Sequence, residues 1–185
     1  MLSQLPDGQA GVVPVGRGGL IAGVAYAVKS LNPNVKVYGV QASGAPSMVN
    51  SLHDHKQEKL AKVSTIADGI AVKEPGSVTF DICSRYVDDI VTVSEDEICA
   101  AILHLIESEK MVAEGAGAAS VAAVMFNKVP VKGKKTICVV SGGNIDVTIL
   151  SRVINRGLAK SGRICTLIIE LADKPGQLLK VCQVI

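Results

Sequence analysis

The sequence predicts an α/β fold, in which helices cover both faces of an open, twisted, mostly parallel sheet and so form three layers. Composition is the first indication: 48% of the 185 residues are hydrophobic, yet Trp is absent and aromatic residues make up 3%. The core must therefore consist of Val, Ile, Leu and Ala. The second indication is that short aliphatic runs alternate with longer helical patterns, which is typical of parallel sheets whose strands are buried on both faces.

The individual elements follow from the pattern along the chain. Aliphatic runs predict strands over residues 11–15, 35–42, 88–93 and 134–140. Apolar spacing predicts helices over residues 18–31, 78–86, 95–110, 114–125 and 146–157. Ser94 and Glu97 have the spacing of a capping box, which marks the start of the third helix. Residues 44–76 have little aliphatic content and predict a long connection, and such connections are usually functional or mobile.

Charge and motif content disfavour several classes of protein. The formal net charge is +2 and no block of like charge occurs, so neither nucleic acid nor a membrane is an expected partner. No apolar run approaches a bilayer span and no signal peptide is recognisable, which favours a cytoplasmic location. The five cysteines form no C-x-x-C pair and are expected to be buried thiols. His53 and His55 lie in a polar stretch without a third ligand, so no metal site is expected.

A glycine-rich loop joins the first strand to the first helix, where Gly16, Gly18 and Gly19 surround Arg17. Backbone N–H groups at such a turn, with the positive end of a helix dipole, favour an anion such as phosphate. The alternative is a tight turn without a ligand. A dinucleotide fold is disfavoured, because Ile21 replaces the third glycine of G-x-G-x-x-G and no acidic residue ends the second strand. The Gly-Lys-Ser/Thr of a nucleoside triphosphate loop is also absent.

A second glycine turn, SGGN at residues 141–144, follows the last predicted strand. Ligands of open α/β sheets bind at the carboxyl ends of the strands, so both glycine turns are expected at one edge of the sheet. Ser141 would present a hydroxyl there, able to hydrogen-bond a ring nitrogen. The alternative is a Ser-Gly-Gly turn that only precedes a helix.

Several motifs together carry a resemblance to a known family. They occur in the order VVPVGRGGLIAG, TIADGIAV, VDDIVTVSEDEI, EGAGAASVAA and VVSGGNID. This series resembles the carboxyl-terminal half of the catalytic domain of threonine dehydratase (threonine ammonia-lyase), biosynthetic or catabolic, a fold-type II pyridoxal phosphate enzyme like tryptophan synthase β. The tail LIIELADKPGQLLKV resembles the first strand, turn and helix of an ACT regulatory domain. The resemblance divides the chain into residues 1–162, from the catalytic domain, and residues 163–185, from the regulatory domain.

The resemblance also implies which residues bind the cofactor, pyridoxal 5′-phosphate. The residues implied around its phosphate are Gly16, Arg17, Gly18, Gly19 and Leu20. Gly69 would approach the cofactor through its backbone, and Glu114 would lie near the edge of the ring. Ser141 would hydrogen-bond the pyridine nitrogen, and a hydroxyl there favours β-elimination. Glu114 has a simpler interpretation as a carboxylate placed at the positive end of a helix dipole.

The reaction implied by the resemblance converts L-threonine to 2-oxobutanoate and ammonia, with L-serine as a second substrate that gives pyruvate. A homo-oligomer is implied, and an amino acid or a nucleotide as an allosteric effector. Two alternatives stay open: an amino-acid-binding ACT-type module on an inert scaffold, and a relative of the serine or threonine racemases. Ser43 stands where some racemases have an acidic metal ligand, which argues against a divalent cation site of that kind.

Two features depart from the family pattern. No lysine follows the Ser-Phe-Lys type of motif that supplies the family's Schiff-base lysine, so no catalytic residue is assigned in this chain. The chain is therefore expected to be truncated at both ends and inactive in isolation. Arg17 stands where the family usually has glycine. We expect mild strain there, since a positive φ at a non-glycine residue costs about 1 kcal/mol or more, although the guanidinium could instead pair with the phosphate.

Overall fold

The computed structural model describes residues 1–184, and within them four parallel strands form one sheet in the order β3-β2-β1-β4. The strands are β1 (Ala10–Pro14), β2 (Lys36–Ala42), β3 (Asp89–Val93) and β4 (Thr136–Cys138). In this register Ala10 lies beside both Lys36 and Thr136. The first strand is therefore central, flanked by the second and the last strands of the chain.

Each of the five predicted helices begins within one residue of its predicted start. They are α1 (Gly19–Leu31), α2 (Ser47–His53), α3 (Ser77–Tyr86), α4 (Glu95–His104), α5 (Gly115–Met125), α6 (Val147–Lys160) and α7 (Gln177–Cys182). A 3-10 turn spans Asp68–Ile70. The capping box of α4 is confirmed: Glu97 N–H donates to Ser94 Oγ at 3.3 Å, and Ser94 N–H donates to Glu97 Oε2 at 2.8 Å.

Side chains of the central strand alternate between two apolar layers. Val12 belongs to a cluster with residues of α4, α5 and α6, whereas Val13 and Val15 belong to a cluster with residues of α1 and α3. Both clusters consist mainly of aliphatic side chains, as the composition requires. The predicted three-layer architecture with a parallel sheet is thus confirmed.

Three local predictions are wrong. The helix expected to reach residue 110 leaves α geometry at a π turn over Leu105–Glu109 and ends at Lys110, whose φ is 55°. The connection 44–76 contains the short helix α2, stabilised by contacts that apolar spacing does not reveal. The strand expected from residue 163 does not form, because no neighbouring strand pairs with it among residues 1–184, and its apolar side chains are exposed; Ile168 is 91% exposed.

All five cysteines had been expected to be buried, but two of them are exposed. Burial raises the pKa of the Cys83, Cys99 and Cys138 thiols to about 11. Cys165 and Cys182 are exposed, because they lie in the unpaired carboxyl-terminal segment. Among the described helices, none has the length and apolar content to cross a bilayer.

Candidate functional site

Two glycine-containing loops leave neighbouring strands at the carboxyl edge of the sheet, the edge at which the strands end. Residues 15–18 follow β1, and residues 139–144 follow β4. Because β1 and β4 are parallel, with Val12 beside Cys138, both loops emerge on the same side. The hydrogen bond from Val139 N–H to Val12 carbonyl oxygen, 2.9 Å, extends the pairing to the start of the second loop.

The β1–α1 loop can accept an anion. Gly18 precedes α1 with a φ of 95°, and a Cβ there would lie 2.6 Å from Met48 Cε, so only glycine fits. The first turn of α1 has neither a side-chain cap nor an acidic residue. Its N–H groups therefore lack side-chain acceptors, and they lie at the positive end of the helix dipole.

Arg17 is not strained, which corrects the sequence-based expectation. Its φ lies outside the left-handed region. Its carbonyl oxygen accepts hydrogen bonds from Gly76 N–H at 3.0 Å and from Thr79 Oγ1 at 2.5 Å, so the loop is anchored to the start of α3. The exposed guanidinium makes no ion pair or hydrogen bond within the described part of the chain. It is a free positive charge beside the first turn of α1.

Gln41 is a positioning residue that sequence reasoning missed. It is fully buried at the end of β2. Its Nε2 donates to the Val15 carbonyl oxygen at 3.3 Å, and its Oε1 accepts from Met48 N–H at 2.9 Å and Val49 N–H at 3.0 Å. The amide thus ties the glycine loop to the first turn of α2. The available signal was a lone amide in the otherwise aliphatic run VYGVQA.

Four backbone segments meet at this edge through Gly16, Gly69, Glu114 and Gly142, here called the rim residues. A Cβ on Gly16 would lie 3.2 Å from the Gly69 carbonyl oxygen, and one on Gly69 would lie 3.3 Å from Glu114 Oε1. Glu114 N–H donates to the Gly142 carbonyl oxygen at 3.3 Å. The rim residues therefore connect the two glycine loops through residues 65–69, here called the TIADG segment, and through the start of α5.

The small residues of α5 allow the second loop to approach. A Cβ on Gly117 would lie 2.8 Å from the Gly142 carbonyl oxygen and would also collide with the Ser141 carbonyl oxygen. Gly142 has a φ of 83°, and a Cβ there would lie 2.7 Å from Glu114 Cδ. The half-buried Ser141 hydroxyl makes no hydrogen bond to residues 1–184. It is therefore available to a ligand at the rim.

Glu114 is the N-cap residue of α5, but its carboxylate makes no capping hydrogen bond. It lies instead between Gly69 and Gly142. The TIADG segment beside it is positioned by α4, because Ile66 N–H donates to Glu95 Oε2 at 2.8 Å. The Glu114 side chain thus lies at the start of helix α5, as the dipole interpretation requires, and it also lies beside Gly69 and Gly142.

Several ionisable side chains form ion pairs away from the rim. Lys29 and Lys36 both pair with Asp88 at 2.7 Å, at the amino edge where the strands begin. Burial disfavours ionisation of Asp88, but hydrogen bonds from the two lysines and from Val37 N–H outweigh it, and the pKa of this carboxyl is lowered. The exposed His53 lies beside Asp54, with 2.6 Å between Nδ1 and Oδ1.

Comparison with known proteins identifies the family. A family model described as pyridoxal-phosphate dependent enzyme matches residues 1–143. The chain belongs to this family of pyridoxal-phosphate dependent enzymes. Members of the family use pyridoxal phosphate, and the anion-binding features of the β1–α1 loop, which has unpaired donors, a free cation and no acidic residue, fit a phosphate ester. The expected family and cofactor are thereby confirmed.

Relatives with established names are similar over the whole chain. An L-threonine ammonia-lyase from Thermotoga maritima is 52% identical over all 185 residues, which correspond to 46% of that protein. An L-threonine ammonia-lyase from Geobacter sulfurreducens is 46% identical over 98% of this chain and 45% of its own length. The chain therefore spans about half the length of these curated relatives.

Solved structures agree on the fold. Threonine deaminase isoform 2 from Solanum lycopersicum superposes with a TM-score of 0.79 at 39% identity, covering 84% of this chain and 46% of that one. Maize serine racemase superposes with a TM-score of 0.76 at 31% identity, covering 84% of this chain and 49% of that one.

Proposed function

We propose that residues 1–162 form the part of an L-threonine ammonia-lyase that holds the phosphate and the pyridine ring of the cofactor. The enzyme would convert L-threonine to 2-oxobutanoate and ammonia, and L-serine to pyruvate and ammonia. The observation that carries the proposal is the meeting of the rim residues at one edge of the sheet. The full-length similarity to L-threonine ammonia-lyases supports the choice of reaction.

Each predicted residue receives a role from its position. The phosphate would accept hydrogen bonds from first-turn N–H groups of α1 at Gly19 and Leu20, next to Gly16 and Gly18, while the Arg17 guanidinium adds charge. The Ser141 hydroxyl would hydrogen-bond the pyridine nitrogen. Gly69 leaves room for the ring because it has no side chain, and Glu114 would border the ring edge. When bound, pyridoxal phosphate supplies an electron sink for the elimination, and the protein orients it.

The chain alone is not expected to turn over threonine. The segments that carry the rim residues and Ser141, residues 15–18, 65–69, 114–117 and 139–144, contain no lysine. A covalent anchor for the cofactor would have to come from elsewhere in an active enzyme. We therefore assign residues 1–162 to cofactor binding and orientation.

The first experiment measures binding directly. Isothermal titration calorimetry would compare pyridoxine 5′-phosphate, which has no aldehyde to react with surface lysines, with pyridoxine. We expect the phosphate compound to bind at least about tenfold more tightly, since the loop offers charge-assisted hydrogen bonds. A Gly18→Val substitution should abolish that preference, while Gly23→Ala, where a Cβ meets open space, should keep it. Equal affinities for the two compounds would contradict the proposal.

The second experiment tests the reaction. This chain would replace the aligned segment of the Thermotoga maritima enzyme, which is 52% identical to it. We expect the hybrid, but not the chain alone, to form 2-oxobutanoate from L-threonine. A folded, cofactor-loaded hybrid that forms none would refute the proposed reaction while leaving cofactor binding intact.

Serine racemization is a second candidate, because serine racemases superpose on this chain at 31–35% identity. The same hybrid distinguishes the two when it is supplied with L-serine. Pyruvate would indicate the ammonia-lyase, whereas D-serine in excess of pyruvate would indicate the racemase.

We separately propose that residues 163–185 are the beginning of an ACT-type regulatory domain. Its support is the sequence pattern LIIELADKPGQLLKV together with the exposed apolar side chains of this segment, such as Leu167 and Leu178. A segment that exposes this much apolar surface needs strands from elsewhere to cover it. An allosteric amino acid or nucleotide effector, a homo-oligomer and a cytoplasmic location belong to the same proposal.

A further inference from the structure

The peptide bond between Arg17 and Gly18 lies in the middle of the β1–α1 loop, and helix α3 holds it from one side. The Arg17 carbonyl oxygen accepts hydrogen bonds from Gly76 N–H at 3.0 Å and from Thr79 Oγ1 at 2.5 Å. Gly76 is the residue before α3, and Thr79 lies in its first turn. The direction of this carbonyl group is therefore set by an element outside the loop.

The opposite end of the same peptide is an unused donor. In a planar trans peptide the N–H bond points in the direction opposite to the C=O bond. Because the Arg17 C=O points to α3, the Gly18 N–H points away from α3. Gly18 is buried, yet its N–H donates no hydrogen bond within residues 1–184. A buried backbone donor is normally paired, so this N–H indicates an acceptor that the chain itself does not supply.

The covalent structure of the loop does not fix the direction of this peptide. Gly18 has a φ of 95°, and a Cβ there would lie 2.6 Å from Met48 Cε and 2.9 Å from Thr79 Oγ1. The position therefore requires glycine, and glycine populates φ of either sign about as readily. Without a donor for the Arg17 carbonyl oxygen, the peptide would be free to turn over and the Gly18 N–H would lose its direction.

Thr79 can supply a fixed donor because α3 is packed against α1. Cys83, one turn further along α3, is buried in the same apolar cluster as Ile21 of α1. The Thr79 hydroxyl has one proton and a second acceptor within reach, the Gly76 carbonyl oxygen at 2.9 Å. The shorter distance to the Arg17 carbonyl oxygen favours the bond to the loop.

We propose, on the basis of the function proposed above, that Thr79 is a positioning residue for the phosphate. It holds the Arg17 carbonyl group against α3 and thereby directs the Gly18 N–H toward the phosphate. Gly18 then donates a hydrogen bond in addition to those from Gly19 and Leu20. Thr79 acts only through the backbone of the loop and makes no contact with the phosphate.

A matched pair of substitutions tests this role in the full 185-residue chain. Thr79→Val replaces the hydroxyl by a methyl group, which cannot approach a carbonyl oxygen more closely than about 3.3 Å. We expect its affinity for pyridoxine 5′-phosphate, measured by calorimetry, to fall about tenfold, as the loss of one charge-assisted hydrogen bond implies. Its affinity for pyridoxine should not change. Thr79→Ser keeps the hydroxyl and should bind both compounds as the native chain does.

Thr136→Val is the control for the loss of a threonine hydroxyl. The Thr136 hydroxyl also donates to a backbone carbonyl oxygen, that of Lys134 at 3.2 Å, but it lies at the amino edge of the sheet. Thr136→Val should leave both affinities unchanged. Urea denaturation of each variant would show that an altered preference for the phosphate compound does not follow from a loss of stability alone.

Nuclear magnetic resonance observes the Gly18 N–H directly in the native chain labelled with ¹⁵N-glycine. Titration with pyridoxine 5′-phosphate should move the Gly18 amide proton downfield, since a hydrogen bond to a charged acceptor is short and strong. The amide of Gly133, in an exposed turn before β4, serves as the reference and should not move. The shift of the Gly18 signal should be reduced in Thr79→Val and restored in Thr79→Ser.

Four results would overturn the proposal, and they separate it from the proposed function. Equal affinity of the native chain for the two compounds would contradict the phosphate site itself. A native chain that prefers the phosphate compound, together with a Thr79→Val variant that keeps the full preference, would exclude only the role of Thr79. The same exclusion follows if Thr79→Ser is as weak as Thr79→Val. A Gly18 amide signal that does not move in the native chain would also refute the proposal, even if Thr79→Val does not fold.

Discussion

At the amino edge of the sheet Asp88 bridges Lys29 and Lys36, whereas at the carboxyl edge Arg17 and Ser141 have no side-chain partner among residues 1–184. The amino edge resembles an ordinary protein surface, where opposite charges pair. The carboxyl edge is built from glycines and backbone groups that leave donors unused. The difference indicates that polar groups at one edge stabilise the fold, while those at the other are available to a ligand.

The largest change in stability is expected when a side chain is added where α5 contacts the second glycine loop. Gly117→Ala would place a methyl group against the carbonyl oxygens of Ser141 and Gly142, and these backbone atoms cannot rotate away. We expect a loss of about 3 kcal/mol in the free energy of unfolding, measured by urea denaturation. Gly23→Ala, in the exposed part of α1, should instead gain about 0.5–1 kcal/mol. Similar values for the two variants would show that α5 and the second loop are not in close contact.

The next effect concerns the buried amide behind the glycine loop. Gln41→Leu removes the acceptor of the Met48 and Val49 N–H groups and leaves both donors unsatisfied in the interior. We expect a destabilisation of about 2 kcal/mol, since a buried donor without a partner has a desolvation cost.

Urea denaturation would measure the stability of Gln41→Leu, and titration with pyridoxine 5′-phosphate would measure its affinity for the phosphate compound. Gln41→Leu should also weaken binding of pyridoxine 5′-phosphate, because the Val15 carbonyl oxygen loses its donor. Unaltered stability together with unaltered binding would show that Gln41 does not position the loop.

The amino edge gives a smaller and pH-dependent effect. Asp88→Asn should destabilise the fold by about 1–2 kcal/mol near pH 7, because the ion pairs with Lys29 and Lys36 are lost. The pKa of Asp88 in the folded state lies below its unfolded value of about 3.9, so its contribution is present above that value. It disappears as the pH falls through the folded-state pKa.

Urea unfolding of the native chain and of Asp88→Asn between pH 7 and pH 3 measures this dependence. The difference between the two should be largest above about pH 4.5 and should shrink below about pH 4. Asp81→Asn, at an exposed position on α3, is the matched control and should show no such difference. A difference in the free energy of unfolding that stays constant from pH 7 to pH 3 would refute the role assigned to Asp88.

The smallest effect is expected at Arg17. Arg17→Gln keeps the backbone hydrogen bonds of the loop but removes the charge, so affinity for pyridoxine 5′-phosphate should fall about fivefold and depend less on salt. Arg85→Gln controls for the change in net charge. An affinity that rises in Arg17→Gln would mean that the guanidinium hinders the phosphate.

Much of the fold could be predicted because its signals are local. The aliphatic runs located all four strands of the sheet, and the capping box of Ser94 and Glu97 located the start of α4. The two glycine turns fall at a common edge because the strands before them, β1 and β4, are parallel. Their roles toward the cofactor stay predictions.

The rest depended on contacts that are distant in sequence. In the sequence, Gln41 is only a polar residue in an aliphatic strand. Its hydrogen-bond partners lie in the glycine loop and in α2, so the sequence did not reveal its role. The alternation of apolar and polar residues at 163–171 predicts a strand with one apolar face. A strand also needs a neighbouring strand with which to pair, and the alternation does not provide one. The strain assigned to Arg17 assumed that its backbone resembles that of glycine, whereas the positive φ belongs to Gly18.

The sheet order has a consequence for how the protein is made. Strand β1 is synthesised before its partner β4, and the hydrogen bond from Lys135 N–H to Gln9 Oε1 spans 126 residues. Closing so long a loop is entropically unfavourable and tends to slow folding. A nascent chain that ends before residue 136 would have Gly18 but not Ser141. Capture of the phosphate and capture of the ring nitrogen would then be separate events during translation, with the second waiting for strand β4.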